Sequence, residues 1–373
     1  MLIDTLTWQT GRGWSAPFPE LDSERTLVLV FGKLTEAPAI DALSKAYPSS
    51  KVLGCSSAGE IHGSHVNDDT LSVAVARFHE TDLRVATASV QSGTSSREAG
   101  ASIARALDAP GLRGIFVLSD GLTVNGTELL GGIYSVLPPR ITVSGGLAGD
   151  SSRFSRTQVL ADGTVQSEVV TAVGFYGDAL HIQHGSRGGW DAFGPERFVT
   201  RAKANVLYEL DGQPALSLYK TYLGERAQGL PATALLFPLA LRGKSSDDTL
   251  VRTILSVDEA AQSMTFAGDI PEESIVQLMR ANFDRLIEGA SEAGRQARLP
   301  GEVPCLSVAV SCVGRRLVLG ERTEEEVDAV LESLPAGAPL VGFYSYGEIS
   351  PLAAGQCGAL HNQTMTLTRY WEG

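Results

Sequence analysis

Gly54-Cys55-Ser56-Ser57-Ala58-Gly59-Glu60 stands at the end of an apolar run, Val52-Leu53, and two later segments repeat its plan. They are Ser144-Gly145-Gly146-Leu147-Ala148-Gly149-Asp150 after Ile141-Thr142-Val143, and Gly342-Phe343-Tyr344-Ser345-Tyr346-Gly347-Glu348 after Pro339-Leu340-Val341. Each closes on Gly followed by an acid. Upstream, at similar spacing, an apolar β-rich run ends in glycine: Leu27–Phe31 before Gly32, Ile115–Leu118 before Ser119-Asp120-Gly121, and Leu306–Val313 before Gly314. A helix-competent stretch joins each pair of runs. Three segments with one order of elements predict a repeated strand-helix-strand-hairpin unit.

Working outward, Pro38–Tyr47 and Gly126–Val136 read as helices stopped by prolines. Thr323 followed by Glu326 reads as a capping box opening a third helix, which runs to Leu334. Leu71–Phe78 with Leu83–Ala88, and Val169–Tyr176 with Ala179–His184, read as hairpins around Glu80-Thr81-Asp82 and Gly177-Asp178. Thr364–Trp371 is the last strand. Residues 232–287 suggest a fourth, degenerate unit: a strand at Ala234–Phe237, a hairpin of Leu250–Val257 with Ser263–Ala267, and a helix over Glu272–Ile287. Thr200–Leu210 and Pro214–Leu223 read as helices broken by Asp211-Gly212, in a stretch joining two lobes. The expectation is an α/β (mixed α+β) fold, with mixed or antiparallel sheets covered by helices in two lobes.

The chain has 373 residues, 43% apolar and 20% charged, which is ordinary globular composition. Thirty basic against 43 acidic residues give a net charge of −13. That sign disfavours nonspecific nucleic-acid binding and adsorption to anionic membranes. No apolar run approaches the ~20 residues that span a bilayer. The N-terminus, MLIDTLTWQT, has an acid at position 4 and lacks a secretory pattern. Cys55, Cys305, Cys312 and Cys357 are scattered without a CxxC pair, so they read as free thiols in a reducing, cytoplasmic setting. The stretch Gly54-x4-Gly59 carries Glu60 where a phosphate loop needs Lys, so it would repel phosphate.

The ordered series of motifs resembles FIST-domain proteins. Leu27–Phe31, Gly54–Ile61, Ser119-Asp120-Gly121 and Gly145–Asp150 are similar to the FIST N-terminal domain. Ser311-Cys312-Val313-Gly314-Arg315, Gly342–Ile349 and Leu360-His361-Asn362-Gln363-Thr364 are similar to the C-terminal domain. On this resemblance residues 1–26 form an N-terminal extension, 27–220 the FIST N-terminal domain and 221–373 the FIST C-terminal domain. The resemblance implies an intracellular sensory module of bacteria or archaea that binds a small ligand such as an amino acid or related carboxylate. Family members stand alone or are joined to histidine kinases, chemotaxis transducers or cyclic-dinucleotide enzymes, and some bind haem and respond to nitric oxide. With no room here for an output domain, the expected partner is a separate histidine kinase or other signalling protein.

Two constellations are candidate ligand sites. The first is Gly54, Cys55, Ser56, Ser57, Gly59 and Glu60 with Asp120, Gly145, Gly146 and Asp150. There, turn N–H groups would hold a carboxylate and an acid would take an ammonium. The second is Tyr344, Tyr346, Glu348, His361, Asn362 and Gln363. Both have a plain structural reading beside the functional one: acids and hydroxyls that satisfy nearby backbone, and a polar network that ties down the last strand. Haem would need an axial ligand, for which His62, His65, His181 and His184 are the candidates. His181 and His184, three apart on a strand, face opposite sides and cannot share one iron. Metal sites with spaced Cys and His are not indicated, and no catalytic residue is assigned. An enzyme alternative would use Cys55 or Ser56 as nucleophile, with Asp120 and His62 or His65 completing a triad.

Overall fold

The computed structural model describes residues 1–373 except 91–94, 162, 244–248, 300, 302 and 354. Its core is a ring of three sheets. In each, two parallel strands lie side by side and two antiparallel strands follow on one flank. The first sheet pairs Thr26–Gly32 with Lys51–Cys55, then adds Thr70–Arg77 and Leu2–Gln9. The second pairs Leu112–Ser119 with Thr142–Leu147, then adds Val169–Tyr176 and Asp82–Ser89. The third pairs Leu306–Cys312 with Leu340–Ser345, then adds Met365–Glu372 and Leu180–Arg187. The repeat predicted from the glycine-acid segments is therefore present, and so are the mixed sheets.

Each unit lends a hairpin to a neighbour. After Gly59, residues Glu60–His62 and His65–Asn67 extend the third sheet beside Leu340–Ser345. Val159–Ala161 and Thr164–Gln166 extend the first sheet beside Lys51–Cys55. Gly347–Pro351 and Gly358–His361 extend the second beside Thr142–Leu147. The exchange closes a cycle.

Thr26–Gly32 and Leu306–Cys312 are buried at every position, and Leu112–Ser119 at every position but Arg113, because both faces are covered. Leu27, Leu29 and Phe31 point to a central core shared by all three sheets, with Phe116, Leu118, Val308, Val310 and Phe343. Val28 and Val30 point outward under the helix Ala37–Ala46 with Ile40 and Leu43. Phe31 stacks on Phe343 and Phe175 on Tyr370, each at 4.8 Å between centroids, so ring pairs join the sheets across the centre. The helices Ser96–Leu107 and Gly126–Tyr134 cover the second sheet, and Phe283–Gln296 and Thr323–Leu331 cover the third.

The second lobe is an insertion into the third unit. Between Leu180–Arg187 and Phe283–Gln296 the chain builds a nine-stranded sheet with its own core, centred on Val199, Leu207, Leu239, Phe266 and Val276. Among the described residues no helix is long and apolar enough to cross a membrane.

Several local expectations are corrected. Neither predicted hairpin across Glu80-Thr81-Asp82 or Gly177-Asp178 forms; the two strands in each case enter different sheets. The first turn does not fold back because the Glu372 carboxylate takes the N–H groups of His79, Glu80 and Thr81, each at 2.8 Å. Ser144–Leu147 is strand, not turn. Thr200–Leu210 is a strand pair, Arg197–Lys203 with Val206–Leu210, turning at Ala204 with φ +50°. Ala234–Leu236 lies in a short 3-10 helix, Ala232–Leu236, with Phe237 at its C-cap. Leu250–Val257 divides into Thr249–Arg252 and Ile254–Asp258, of which the second makes the expected hairpin with Ser263–Phe266. Glu272–Ile287 divides into the strand Ile275–Arg280 and the start of Phe283–Gln296, capped by Asn282. There, strand pairing to Leu239–Arg242 overrides helical spacing. The capping box is absent: Glu326 turns inward to Arg315, and the Thr323 hydroxyl donates to the Gly320 carbonyl at 2.6 Å.

Candidate functional site

The three glycine-acid segments are the joints at which the chain leaves its own sheet for the neighbour's, and they meet one another. Ala58 N–H donates to Tyr344 O at 2.8 Å, Tyr346 N–H to Leu147 O at 3.1 Å, and Gly149 N–H to Ser56 O at 3.0 Å. Close approach is the reason for glycine here. Gly59 has φ +138°, and a Cβ on it would lie 2.6 Å from Arg316 Nη1. A Cβ on Gly145 would lie 1.9 Å from the Val117 carbonyl oxygen of the adjacent strand.

The acids secure the joints. Glu60 accepts from the Ser57 hydroxyl, from Thr70 N–H at 3.1 Å and from Thr70 Oγ1 at 2.9 Å. Glu348 repeats this with Ser345 Oγ at 2.9 Å, Thr364 N–H at 3.1 Å and Thr364 Oγ1 at 2.8 Å. Burial pushes the Glu60 pKa up to about 7 and the Glu348 pKa up to about 8, against the opposing pull of those donors. Asp150 lacks a serine three residues before it and instead takes the Ser155 hydroxyl, at 3.0 Å. It takes the N–H groups of Phe154, Ser155 and Arg156 and the Tyr346 hydroxyl. Burial opposes its charge, but these donors outweigh it and hold the pKa below the usual range. Asp120 behaves likewise on Leu122, Thr123 and Glu168 N–H.

A cavity of about 330 Å³ opens where the joint of the second and third units meets the nine-stranded sheet. Leu122, Val124, Leu147, Phe154, Leu255 and Phe266 give it apolar walls, and the Phe154 ring stacks on Tyr346 at 4.5 Å. Thr123, Asn125, Asn205, Thr253, Tyr346 and Asn362 are its polar lining. Asn362 is 0% exposed, and its Oδ1 has no hydrogen-bond partner; Thr253 is 4% exposed, and its Oγ1 has none. Next to Asn362, both amide atoms of Gln363 are unpartnered, and that side chain packs against Gly314 in the cavity wall. Buried polar atoms are seldom left this way, each costing roughly 1–3 kcal/mol.

Of the residues singled out from sequence, Tyr346 and Asn362 line this cavity, and Gln363, Asp120 and Asp150 lie directly behind its wall. Gly54, Cys55, Ser56, Ser57, Gly59 and Glu60 belong to the first joint instead. Cys55 is in the central core, where burial pushes its thiol pKa well up, and Ser56 Oγ accepts from Gln158 N–H at 2.9 Å. Gly145 and Gly146 are within a strand, and Tyr344 is buried with its hydroxyl 2.7 Å from Glu326. His361 is buried with Nε2 2.8 Å from the Ser350 carbonyl, and burial lowers its pKa to about 4. Thr253, Asn205, Leu255 and Phe266 escaped sequence reading, because the cavity needs the inserted sheet to close it.

The four candidate histidines do not make this cavity a haem site. None of the four candidate histidines lines this cavity. His62 lies 3.3 Å from Ser72 Oγ, His65 is exposed beside Glu324, His181 stacks on Trp371, and His184 is on the opposite strand face. Among the described residues no group of three His, Cys, Asp or Glu side chains is placed to hold a metal.

Residues 26–213 match the FIST N domain and residues 215–351 the FIST C domain. An uncharacterised protein of Mycobacterium tuberculosis is 26% identical over 357 residues, covering 89% of this chain and 87% of its own length. An uncharacterised protein of Mycobacterium bovis is 27% identical over 263 residues, covering 66% of this chain and 61% of its own. FIST domains are generally sensory or signal-transduction domains. With its three exchanged units and inserted sheet, this chain belongs to the FIST family, as an N domain followed by a C domain.

Proposed function

We propose that this protein is a noncatalytic sensor that receives a small molecule in the cavity between the third joint and the inserted sheet. The observation that carries the reading is the pair of buried, unpartnered atoms, Asn362 Oδ1 and Thr253 Oγ1, set among apolar walls. A pocket of mostly apolar lining with a few convergent polar groups is the usual form of a small-ligand site. Amino acids with apolar side chains and related small carboxylates, the class expected from the sequence, head the compounds to test, with their neutral derivatives beside them. A separate signalling protein, such as a histidine kinase, would read the bound state. The enzyme alternative gains no support from Cys55, whose thiol is buried and uncharged, or from Ser56, whose hydroxyl accepts a backbone N–H.

Thermal-shift screening followed by calorimetry tests this. A true ligand raises the melting temperature saturably, because it binds the folded state alone. Asn362→Leu and the cavity-filling Ala267→Phe should each remove that shift. Binding undiminished in both variants, or no saturable compound at all, rules out the cavity as the receptor site.

A further inference from the structure

The first and third units place different residues at one corner of the joint. Thr70 and Thr364 clasp Glu60 and Glu348 in the same way, and the residues before them, Asp69 and Gln363, share a left-handed backbone with φ +57° and +61°. One position earlier stand Asp68 and Asn362, which are therefore structural equivalents. At the first joint, Asp68 receives a two-pronged bond from Arg316, at 2.8 Å and 2.6 Å. Asn362 has no such partner: its Nδ2 donates to the His361 carbonyl at 3.0 Å, and its Oδ1 receives nothing. What the fold supplies at one joint is absent at the other, and the cavity lies there.

We infer that the ligand carries an uncharged head that both donates and accepts hydrogen bonds, of the primary carboxamide class, on an apolar body. This rests on the reading of the cavity as a ligand site and names what enters it. Asn362 Oδ1 needs a donor, and the Thr253 hydroxyl needs a partner of either kind; an amide supplies both.

A charged head finds no counter-ion, because among the described residues no Lys, Arg, Asp or Glu lines the cavity. The arginines behind the wall are engaged elsewhere. Arg252 donates to the carbonyls of Asp269 at 3.1 Å and Leu360 at 3.0 Å, and Arg315 donates to Glu326 at 2.7 Å and to the Leu286 carbonyl at 2.7 Å. The acids behind the wall are engaged as well: Asp120 and Asp150 take backbone N–H groups, and Asp269 accepts from Asn125 Nδ2 at 2.9 Å. A carboxylate or an ammonium would give up its water for nothing that balances it. The body is apolar for a separate reason. Leu122, Phe154 and Leu255 line the cavity, yet each stays more than 40% exposed, which leaves an apolar rim for a ligand tail to cover.

Three probes on one body decide it: hexanamide, hexanoate and hexylamine, repeated with phenylacetamide, phenylacetate and phenethylamine, each titrated by calorimetry. The amide should bind the wild-type protein about tenfold or more tightly than either charged partner. Asn362→Asp should reverse the order and favour the amine, reproducing with a ligand the Asp68–Arg316 pairing. Thr253→Val should weaken the amide several-fold with the melting temperature retained, which keeps the test open if Asn362→Asp fails to fold. Tighter binding of the acid or the amine to wild type, lost in Ala267→Phe, overturns the head-group assignment while leaving the cavity as the site. If no amide binds, the assignment is also wrong; a saturable ligand from the wider screen would then uphold the cavity alone.

Discussion

The first and third joints are built from the same parts and end differently. Both use Ser-x-Gly-Glu, a clasping threonine and a left-handed residue before it. The first joint completes itself with the Arg316–Asp68 pair at the surface, where the two side chains are 21% and 57% exposed. The third buries its arginine: Arg315 and Glu326 are both fully buried, and Asn362 is left with an unpartnered oxygen beside a cavity. A repeated unit can thus keep its scaffold while one copy exchanges self-satisfaction for a receptive site.

The largest effect expected from this contrast is at the buried pair. Glu326→Leu leaves the Arg315 guanidinium without its carboxylate and should cost about 3–5 kcal/mol in urea unfolding. A loss no greater than that of a surface pair would erase the distinction between the two joints.

The carboxylates differ next in their pH response. Both have folded pKa values raised above the unfolded value of about 4.3, so the folded protein retains protons that the unfolded chain has released. Their contribution is complete below that pH and is lost as pH rises, through about 7 for Glu60 and about 8 for Glu348. Glu348→Gln should therefore flatten the fall in stability between neutral and mildly alkaline pH more than Glu60→Gln does. Unfolding curves from pH 5 to 9 that superimpose for wild type and both variants would contradict this.

At the equivalent corner the two substitutions should differ in sign. Asn362→Leu removes an unsatisfied buried amide and should hold or raise ligand-free stability by about 1 kcal/mol. Asp68→Leu loses a partner for Arg316 and should lower it. The smallest effect is expected of Arg316→Met, at most about 1 kcal/mol, since its pair is screened by solvent. Added salt should shrink that effect further.

Much of the ring was legible in the chain because its signals are local. Leu27–Phe31 and Ile115–Leu118 are runs apolar on both faces, Leu306–Val313 is mostly so, and the glycine-acid segments mark where each unit turns out of its sheet. The two false hairpins show the limit. Leu71–Phe78 and Leu83–Ala88 each read as strands, but the Glu372 carboxylate, nearly three hundred residues away in sequence, holds the turn between them and sends the second into another sheet. The inserted sheet was read least well. Thr200–Leu210 and Glu272–Ile287 have helical spacing, and their strand pairing depends on partners that the local pattern does not reveal. Of the site, Tyr346 and Asn362 were found through their motif, while Thr253 and Leu255 were not, because nothing about them is unusual until the inserted sheet packs over the third joint.

The sequence by itself determined the repeat, the mixed sheets and the family, since periodicity, glycine placement and motif order are properties of neighbouring residues. Only the tertiary structure decided what the glycine-acid turns do. Their acids face donors mostly from their own unit, with the Tyr346 hydroxyl reaching Asp150 from the next, so they are joints. The cavity arises beside one of them because a buried amide there meets no partner after the chain has folded. Hydrogen-bond satisfaction is settled by which distant groups arrive, and that is a property of the packed chain.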